Sequence, residues 1–320
     1  MSSPAHDALL QQLTLPDAHA RQVAIMELQD VADESALPSL LVALSDEDAV
    51  VRRLAIDCLE ELGSARAVPG IVERLLDQDD EVRAAAAEAL RHFRGDDAAA
   101  AMIEALDHSE ASVRHGVLIG LRELKDLRAL PSLIRVLEDP VSEVRREAVI
   151  TLAYLKQADA VDALRKRLSD PEPSVRRVVV GALNDWNGPA LLEDFLGALC
   201  DTDWQVRVQA AIVLGRSGLT GAVRCLRAAL SDPYWQVQKE AIASLGRLFA
   251  SAAVPELLTF LSSERSELRR AAAYALGELR AEPARAGLHA LASDVDIEVR
   301  KAGLRALQAL DDARAEEAHS

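Results

Sequence analysis

The chain has 320 residues, half of them hydrophobic, which is enough to bury a large core and excludes a disordered chain. Aromatic residues make up only 3% of it, a composition that favours helices packed closely on small side chains. A formal net charge of −16 argues against broad, non-specific binding to nucleic acid or to anionic membranes.

The sequence also lacks the common targeting and metal-binding signatures. No apolar run approaches the ~20 residues that a membrane span needs, and the first residues, MSSPAHDALLQQL, do not form a signal peptide. Cys58, Cys200 and Cys225 are scattered without a C-x-x-C pair, so neither a disulfide framework nor a zinc site is indicated. We therefore expect a cytoplasmic protein without a metal ion or cofactor.

A Val-Arg pair, or a close variant of it, recurs along the chain at a fixed spacing of 31 residues. Its second position is occupied in chain order by Arg21, Arg52, Arg83, Arg114, Arg145, Arg176, Arg207, Gln238, Arg269 and Arg300. A Leu follows seven residues after each of these positions, from Leu28 in the first copy to Leu307 in the last. A period of this size without insertion or deletion is typical of a solenoid.

Each copy of the period predicts two helices. The first helix carries apolar residues four apart, such as Leu40 and Leu44, and often a Pro near its start. It ends near an Asp, whose carboxylate can accept from the free N–H groups that begin the next helix. The copies of this residue are Asp46, Asp77, Asp139, Asp170, Asp201, Asp232 and Asp294. The second helix begins around the Val-Arg pair.

The period divides the chain into ten repeats in one solenoid that occupies residues 1–320. The repeats start near residues 5, 36, 67, 98, 129, 160, 191, 222, 253 and 284. Residues 311–320, DDARAEEAHS, form a charged C-terminal tail that we expect to fray.

The pattern of Asp, Val-Arg, small residues and Leu resembles HEAT repeats over about residues 5–310, and is most similar to their short phycobilisome-lyase HEAT-like class. The resemblance implies an all-α fold, a right-handed α-solenoid of two-helix repeats. It also implies a ladder of charge-assisted hydrogen bonds within and between repeats, which Gln238 interrupts. Its predicted members are Asp46, Arg52, Asp77, Arg83, Asp139, Arg145, Asp170, Arg176, Asp201 and Arg207. A catalytic role is disfavoured, because a residue needed once for chemistry would not recur in almost every repeat.

The resemblance places the ligand-facing residues of each second helix at fixed offsets from the Arg position, on a concave surface. In the early repeats these residues are small, aliphatic or acidic, whereas repeats six to eight carry four cations against Asp185 and Glu240. Trp204 and Trp235 occupy the same offset in neighbouring repeats, so we expect them about 10 Å apart on one rim. Trp186 falls at an offset where other repeats have Leu, and is predicted to be core.

We predict that repeats five to nine bind a partner through an aromatic and basic patch, because aromatic and Arg residues dominate interaction hot spots. The predicted patch residues are Trp204, Trp235, Arg177, Arg216, Lys239, Arg247, Tyr154, Tyr274, Gln205 and Gln209. The partner is expected to be a protein or peptide, with an acidic or amphipathic segment.

Enzymatic function finds little support in the sequence. Deoxyhypusine hydroxylase, an enzyme built from related repeats, uses His-Glu pairs, and this chain contains no His-Glu dipeptide. No nucleophile-elbow, P-loop or dinucleotide-binding pattern is present, and His92 and His115 lie at opposite ends of adjacent second helices. A non-enzymatic scaffold is the leading interpretation. A bilin-lyase-like or other chromophore-handling accessory protein, with lyase-like activity, stays open, and the acidity disfavours nucleic-acid binding.

Overall fold

The computed structural model describes residues 4–186 and 188–318, and these residues form twenty α-helices and no strand. The helices are α1 Pro4–Gln12, α2 Ala18–Gln29, α3 Leu37–Ala43, α4 Ala49–Leu62, α5 Val68–Glu73, α6 Asp80–Ala89, α7 Asp96–Ala105, α8 Ala111–Leu124, α9 Leu130–Val136, α10 Ser142–Leu155, α11 Val161–Lys166, α12 Pro173–Leu183, α13 Leu192–Ala198, α14 Trp204–Arg216, α15 Val223–Ala229, α16 Trp235–Arg247, α17 Val254–Thr259, α18 Ser266–Glu278, α19 Arg285–Leu291 and α20 Ile297–Ala318.

Odd-numbered helices are the first helices of the repeats and even-numbered helices are the second. The first helices are short, and α3, α5, α9 and α17 have Pro in their first turn, where its missing N–H costs nothing. Every second helix begins three residues before the Arg position, so its start recurs at 31-residue intervals from Ala18 to Ile297. This confirms the predicted fold class, an all-α solenoid of two-helix repeats.

The helices divide into two compact units, residues 1–163 and 164–320. In the N-terminal unit α2 packs on α4, α4 on α6, and α8 on α10; in the C-terminal unit α12, α14, α16, α18 and α20 pack on one another in chain order. The periodic leucines lie inside, with Leu59, Leu214 and Leu245 fully buried. Burying a leucine side chain stabilises by about 2 kcal/mol, so the core energy is distributed along the stack.

An arginine–aspartate ladder joins successive repeats. Nε and Nη2 of Arg176 donate to the two carboxylate oxygens of Asp201, at 2.7 and 2.6 Å, and Nη1 donates to the backbone carbonyl of Asp170 at 2.8 Å. The same two-pronged contact joins Arg21 to Asp46, Arg52 to Asp77, Arg114 to Asp139, Arg207 to Asp232 and Arg269 to Asp294. Each rung therefore fixes the loop of its own repeat and the distance to the next.

The predicted capping role of the ladder aspartates is wrong by two residues. Asp201 accepts from the N–H of Asp203 at 2.8 Å, and it is Asp203 that caps α14, accepting from the N–H groups of Gln205 and Val206 at 2.9 and 3.2 Å. The ladder carboxylate faces the arginine fork and lies too early in the chain to reach the first turn of the helix. Asp201 therefore binds the arginine of the preceding repeat, and Asp203 caps the helix.

Two rungs of the ladder differ from the others. The position 25 residues after Arg83 is His108, so the Arg83 guanidinium pairs with Asp80 of its own helix and with the Asp77 carbonyl. The second differing rung begins at Gln238, which keeps the bond to its own loop, the Asp232 carbonyl, at 2.8 Å. The residue 25 positions later is Ser263, so cation and carboxylate are replaced together. The predicted ladder residues Arg145 and Asp170 make the same loop contacts as their counterparts in other repeats. Arg145 donates to the carbonyl of Asp139 at 2.9 Å, and Asp170 accepts from the N–H of Glu172 at 3.0 Å.

A further expectation, that Trp186 is core, does not hold. Trp186 is only half-buried, because α12 ends at Leu183 and a single 3-10 turn carries Trp186 away from the buried stripe. The described part of the predicted tail is helical, since α20 continues to Ala318. Its ion pairs of Arg285 with Asp311 at 2.7 Å and of Arg314 with Glu282 at 2.9 Å hold it against the repeat; residues 319–320 lie outside the described residues.

We expect Arg176→Ala to lower the free energy of unfolding by about 3 kcal/mol, because it leaves the nearly buried Asp201 carboxylate without a cation. Urea unfolding followed by circular dichroism measures this loss. The matched control is Arg83→Ala, whose ion-pair partner Asp80 is exposed, and its loss should stay below about 1 kcal/mol. Equal losses in the two variants would contradict the stabilising role of the interrepeat fork.

The ladder also predicts a pH dependence of stability. Burial opposes the shift, but hydrogen bonds from Arg176 and from the N–H of Asp203 hold the pKa of Asp201 below its ordinary value, and the Arg269 fork does the same for the pKa of Asp294. A pKa depressed in the folded state contributes stability that is complete above the ordinary Asp pKa of about 4 and is lost as pH falls through the folded value.

The unfolding free energies of wild type and Asp201→Asn should therefore converge as pH falls from about 5 to about 3. In an Arg176→Ala background, Asp201→Asn should change the unfolding free energy at pH 5 by less than it does in the wild-type background, because the bond between Arg176 and Asp201 is already absent. If the difference in unfolding free energy between wild type and Asp201→Asn stays constant over this pH range, the ionisation of Asp201 does not contribute to stability.

Candidate functional site

The second helices of the C-terminal unit approach one another closely at three glycines. A Cβ placed on Gly215 of α14 would lie 2.8 Å from the Cα of Ser244 on α16. Two further pairs repeat this approach, Gly246 with Ala275 at 2.9 Å and Gly277 with Ala306 at 3.0 Å. A Cβ essentially never lies nearer than 3.0 Å to a backbone atom, so Gly215 and Gly246 leave no room for a side chain, and at Gly277 the neighbouring helix would have to shift. The second helices α14, α16, α18 and α20 therefore form a closely packed row, which carries the side chains of the candidate site.

An aromatic stack joins the beginnings of α14 and α16. Trp204 is the first residue of α14 and Tyr234 directly precedes α16; their rings lie 5.6 Å apart between centroids, with 8° between the planes. The guanidinium of Arg207, a ladder residue, lies 5.5 Å from the centroid of the Tyr234 ring. Trp204 is half-buried and Tyr234 is 45% exposed. The stack is thus held by the ladder on one side and open to solvent at its edge.

Trp235 has a different partner in the next repeat. The guanidinium of Arg265, which directly precedes α18, lies 5.6 Å from the centroid of the Trp235 ring. The ring that stacks on Trp204 is Tyr234, so each tryptophan has its own partner from the following repeat. The predicted spacing of the two tryptophans, about 10 Å, stays a prediction. Sequence reasoning missed Tyr234 and Arg265. The signal was available, because both replace the acidic helix-cap residue found at this position in most repeats.

A groove of about 380 Å³ lies along α16, α18 and α20. It brings together three of the predicted residues, Lys239, Arg247 and Tyr274. Its other charged residues are Arg270, Glu267, Glu278 and Glu298, so the groove holds three cations and three carboxylates. The local charge is therefore balanced, whereas the sequence predicted a basic patch. The reason is that Glu267 and Glu298 come from the following repeats, and a reading of repeats six to eight alone omits them.

Of the remaining predicted residues, Gln205 directly follows Trp204 in α14, and the other four are not among the residues of either cluster. On α14, Gln205 and Arg216 are exposed and Gln209 is half-buried; on α12, Arg177 is half-buried. Tyr154 belongs to the N-terminal unit, where it is 54% exposed and lies 5.4 Å from the guanidinium of Arg122. In the C-terminal unit, the candidate site thus consists of the aromatic edge, Trp204, Tyr234, Trp235 and Arg265, and of the adjoining charged groove.

The family model described as HEAT repeats matches residues 6–91, 68–153, 99–183, 161–246 and 224–308, which together span nearly the whole chain. The chain belongs to the HEAT-repeat family. HEAT repeats generally mediate protein–protein interaction, and HEAT-repeat solenoids are usually non-enzymatic scaffolds. The finer assignment to the phycobilisome-lyase class stays a prediction.

Solved structures agree with this fold. An engineered protein is 22% identical over 97% of this HEAT-repeat chain and 99% of its own, with a TM-score of 0.52. A chain from a structure of Kap95p binding to RanGDP is 15% identical over 96% of this chain and 50% of its own, with a TM-score of 0.65. Human deoxyhypusine hydroxylase is 27% identical over 78% of this chain and 97% of its own, with a TM-score of 0.35. A search of curated proteins gave no match.

Among residues 4–186 and 188–318, no helix is both long and apolar enough to cross a membrane. The part of the chain that the structure describes also contains no group of three or more His, Cys, Asp or Glu side chains arranged to hold a metal ion. The candidate site itself consists of aromatic rings and charged side chains of both signs.

The close helix approach predicts that Gly215→Ala destabilises the protein by about 1–3 kcal/mol, because the added methyl group forces α14 and α16 apart. Thermal and urea unfolding measure the change. Gly197→Ala on α13 is the matched control: nothing lies within 4 Å of its Cβ position, so the better helix propensity of Ala should stabilise by about 0.5–1 kcal/mol. Opposite signs for the two variants are expected, and a neutral or stabilising Gly215→Ala would refute the constraint.

Proposed function

We propose that this HEAT-repeat protein is a non-enzymatic adaptor that binds a segment of a partner protein along the second-helix face of its C-terminal unit. The observation that carries the proposal is the aromatic edge, where the Trp204–Tyr234 stack adjoins the Trp235–Arg265 pair. Trp, Tyr and Arg are the residues that most often dominate binding energy at interfaces. Concentrating them on one edge is notable in a chain with three Trp and three Tyr.

The geometry of the edge favours binding in a second way. Stacking fixes Trp204 against Tyr234, and the Arg207 guanidinium holds the Tyr234 ring while its fork is committed to Asp232. Side chains that are already ordered lose little conformational freedom when a partner arrives. The edge therefore offers large apolar contact area at a low entropic cost, which is what a rigid anchor requires.

The groove indicates the chemistry of the partner. Lys239 is already paired with Glu240 at 3.0 Å, whereas Arg247 and Arg270 line the groove opposite Glu267, Glu278 and Glu298. A purely acidic segment would meet these carboxylates as well as the cations. Charge complementarity therefore favours an amphipathic segment that carries both signs, with an apolar side for the aromatic edge.

The proposal predicts that Trp204→Ala/Trp235→Ala weakens partner binding at least about tenfold while the fold is retained. A photo-crosslinking residue at the exposed Gln205 first captures the partner in cells, and its purified form is then titrated against the variants by calorimetry. Phe249→Ala is the matched control, since Phe249 is 73% exposed just after the other end of α16. Unchanged affinity in a double variant with a normal circular dichroism spectrum would reject the proposal.

A further inference from the structure

The last second helix, α20, exposes a face that inner second helices bury. In the C-terminal unit the Ser244 hydroxyl of α16 donates to the Ala211 carbonyl of α14 at 2.8 Å, which identifies the residue four after the Arg position as facing the next second helix. The residues at this position in α12, α14, α16 and α18 are Val180, Ala211, Ile242 and Ala273, and each is fully buried. The equivalent residue of α20 is Leu304, which is 56% exposed.

Leu304 belongs to a continuous exposed stripe on α20. The stripe consists of Ile297, Lys301, Leu304, Gln308, Asp311 and Ala315, spaced alternately four and three residues apart, and all six are exposed. This spacing keeps them on one helical face about 27 Å long, at about 1.5 Å per residue. The opposite face, with Val299, Ala302, Ala306 and Leu310, is buried against α18 and α19.

The stripe is complementary to itself when it is reversed. In an antiparallel pair of α20 helices centred on Ala306, Ile297 lies opposite Ala315, Lys301 opposite Asp311 and Leu304 opposite Gln308. Lys301 and Asp311 therefore form the same opposite-charge pair twice, once at each end of the interface. We infer that α20 pairs antiparallel with α20 of a second copy of this chain, because a two-fold interface requires a surface that complements itself.

A second copy stacked head to tail fits this face poorly. Each inner rung needs an aspartate six residues before the Arg position of the following repeat, but before Arg21 that position is Leu15. Glu27 of α2, which is exposed, stands where inner repeats place a small buried residue such as Ser244. The N-terminal end therefore offers neither the carboxylate nor the small side chain that would continue the stack.

The existing ion pairs of α20 do not prevent its self-association. Lys301 pairs with Glu298 at 2.8 Å, both exposed, and the exposed Asp311 pairs with the half-buried Arg285 at 2.7 Å, whose other bonds go to Glu282. Exposed pairs contribute little and exchange partners readily. A single helix face buries less area than the ~1,200 Å² of a stable interface, so the dimer should be weak and sensitive to salt.

Sedimentation velocity of the full chain at concentrations up to about 200 µM tests this inference. We expect a reversible dimer at about 50 mM NaCl whose association weakens more than tenfold at about 500 mM. Leu304→Asp should abolish it, whereas Val42→Asp, at a residue of α3 that is 76% exposed, should leave it unchanged. A wild-type chain that stays monomeric over this range at low salt overturns the inference.

Charge reversal tests the antiparallel register. Lys301→Glu alone places two carboxylates opposite each other at both ends of the interface, and Asp311→Lys alone places two ammonium groups there, so each variant should be monomeric. An equimolar mixture restores both opposite-charge pairs and should recover the dimer. A dimer that survives both single variants, or a mixture that stays monomeric while both variants have normal circular dichroism, overturns the register. Lys301 pairs with the groove residue Glu298, whereas Leu304 and Asp311 lie outside the aromatic edge and the groove, so the Leu304→Asp and Asp311→Lys variants separate a failure of the dimer from a failure of the proposed function.

Discussion

The two-pronged bond from the arginine of one repeat to the aspartate of the next is the interaction on which the stack depends. Arg207 shows why: its fork binds Asp232, while its remaining nitrogen binds the carbonyls of Asp201 and Thr202 in its own loop. One side chain thus fixes the loop conformation and the spacing to the next repeat together. Removing two charges from water is costly, so such a rung works only when both partners are present and fully hydrogen-bonded. An insertion or deletion would separate them.

The surface proposed for binding lies where this ladder changes. Between repeats eight and nine Gln238 and Ser263 replace the usual arginine and aspartate, and no charged fork can form. The same two repeats are joined instead by the Trp235–Arg265 pair and by the close approach of Gly246 to α18. An aromatic–cation contact is less directional than a bidentate ion pair and leaves part of the ring accessible. The two repeats thus stay in contact without the rung, and the Trp235–Arg265 pair lies at the edge that we propose for binding.

The repeat period was sufficient to predict what every repeat shares. It placed the helices, the buried leucines and the prolines, since these follow from one repeat considered alone. The features that it missed arise from pairs across repeat boundaries. Tyr234 and Arg265 occupy a helix-cap position, outside the expected ligand-facing offsets, and their importance depends on the tryptophans of the preceding repeats. The balanced groove likewise needs Glu267 and Glu298 to be added from neighbouring repeats.

The residues of α2 and α20 bear on the two-fold assembly that we infer for this chain. A head-to-tail contact repeats without closing and produces a filament, whereas a two-fold contact closes at two copies. Leu15 and Glu27 make the first repeat a poor continuation of the stack, which disfavours a filament. Lys301 and Asp311 of α20 instead favour a contact that closes at two copies. With a net charge of −16, two chains repel each other at long range, so only a locally complementary face can overcome that repulsion. The aromatic edge and α20 belong to the same compact unit, so a dimer formed through α20 carries two aromatic edges. A partner with two matching segments would bind both edges and gain avidity.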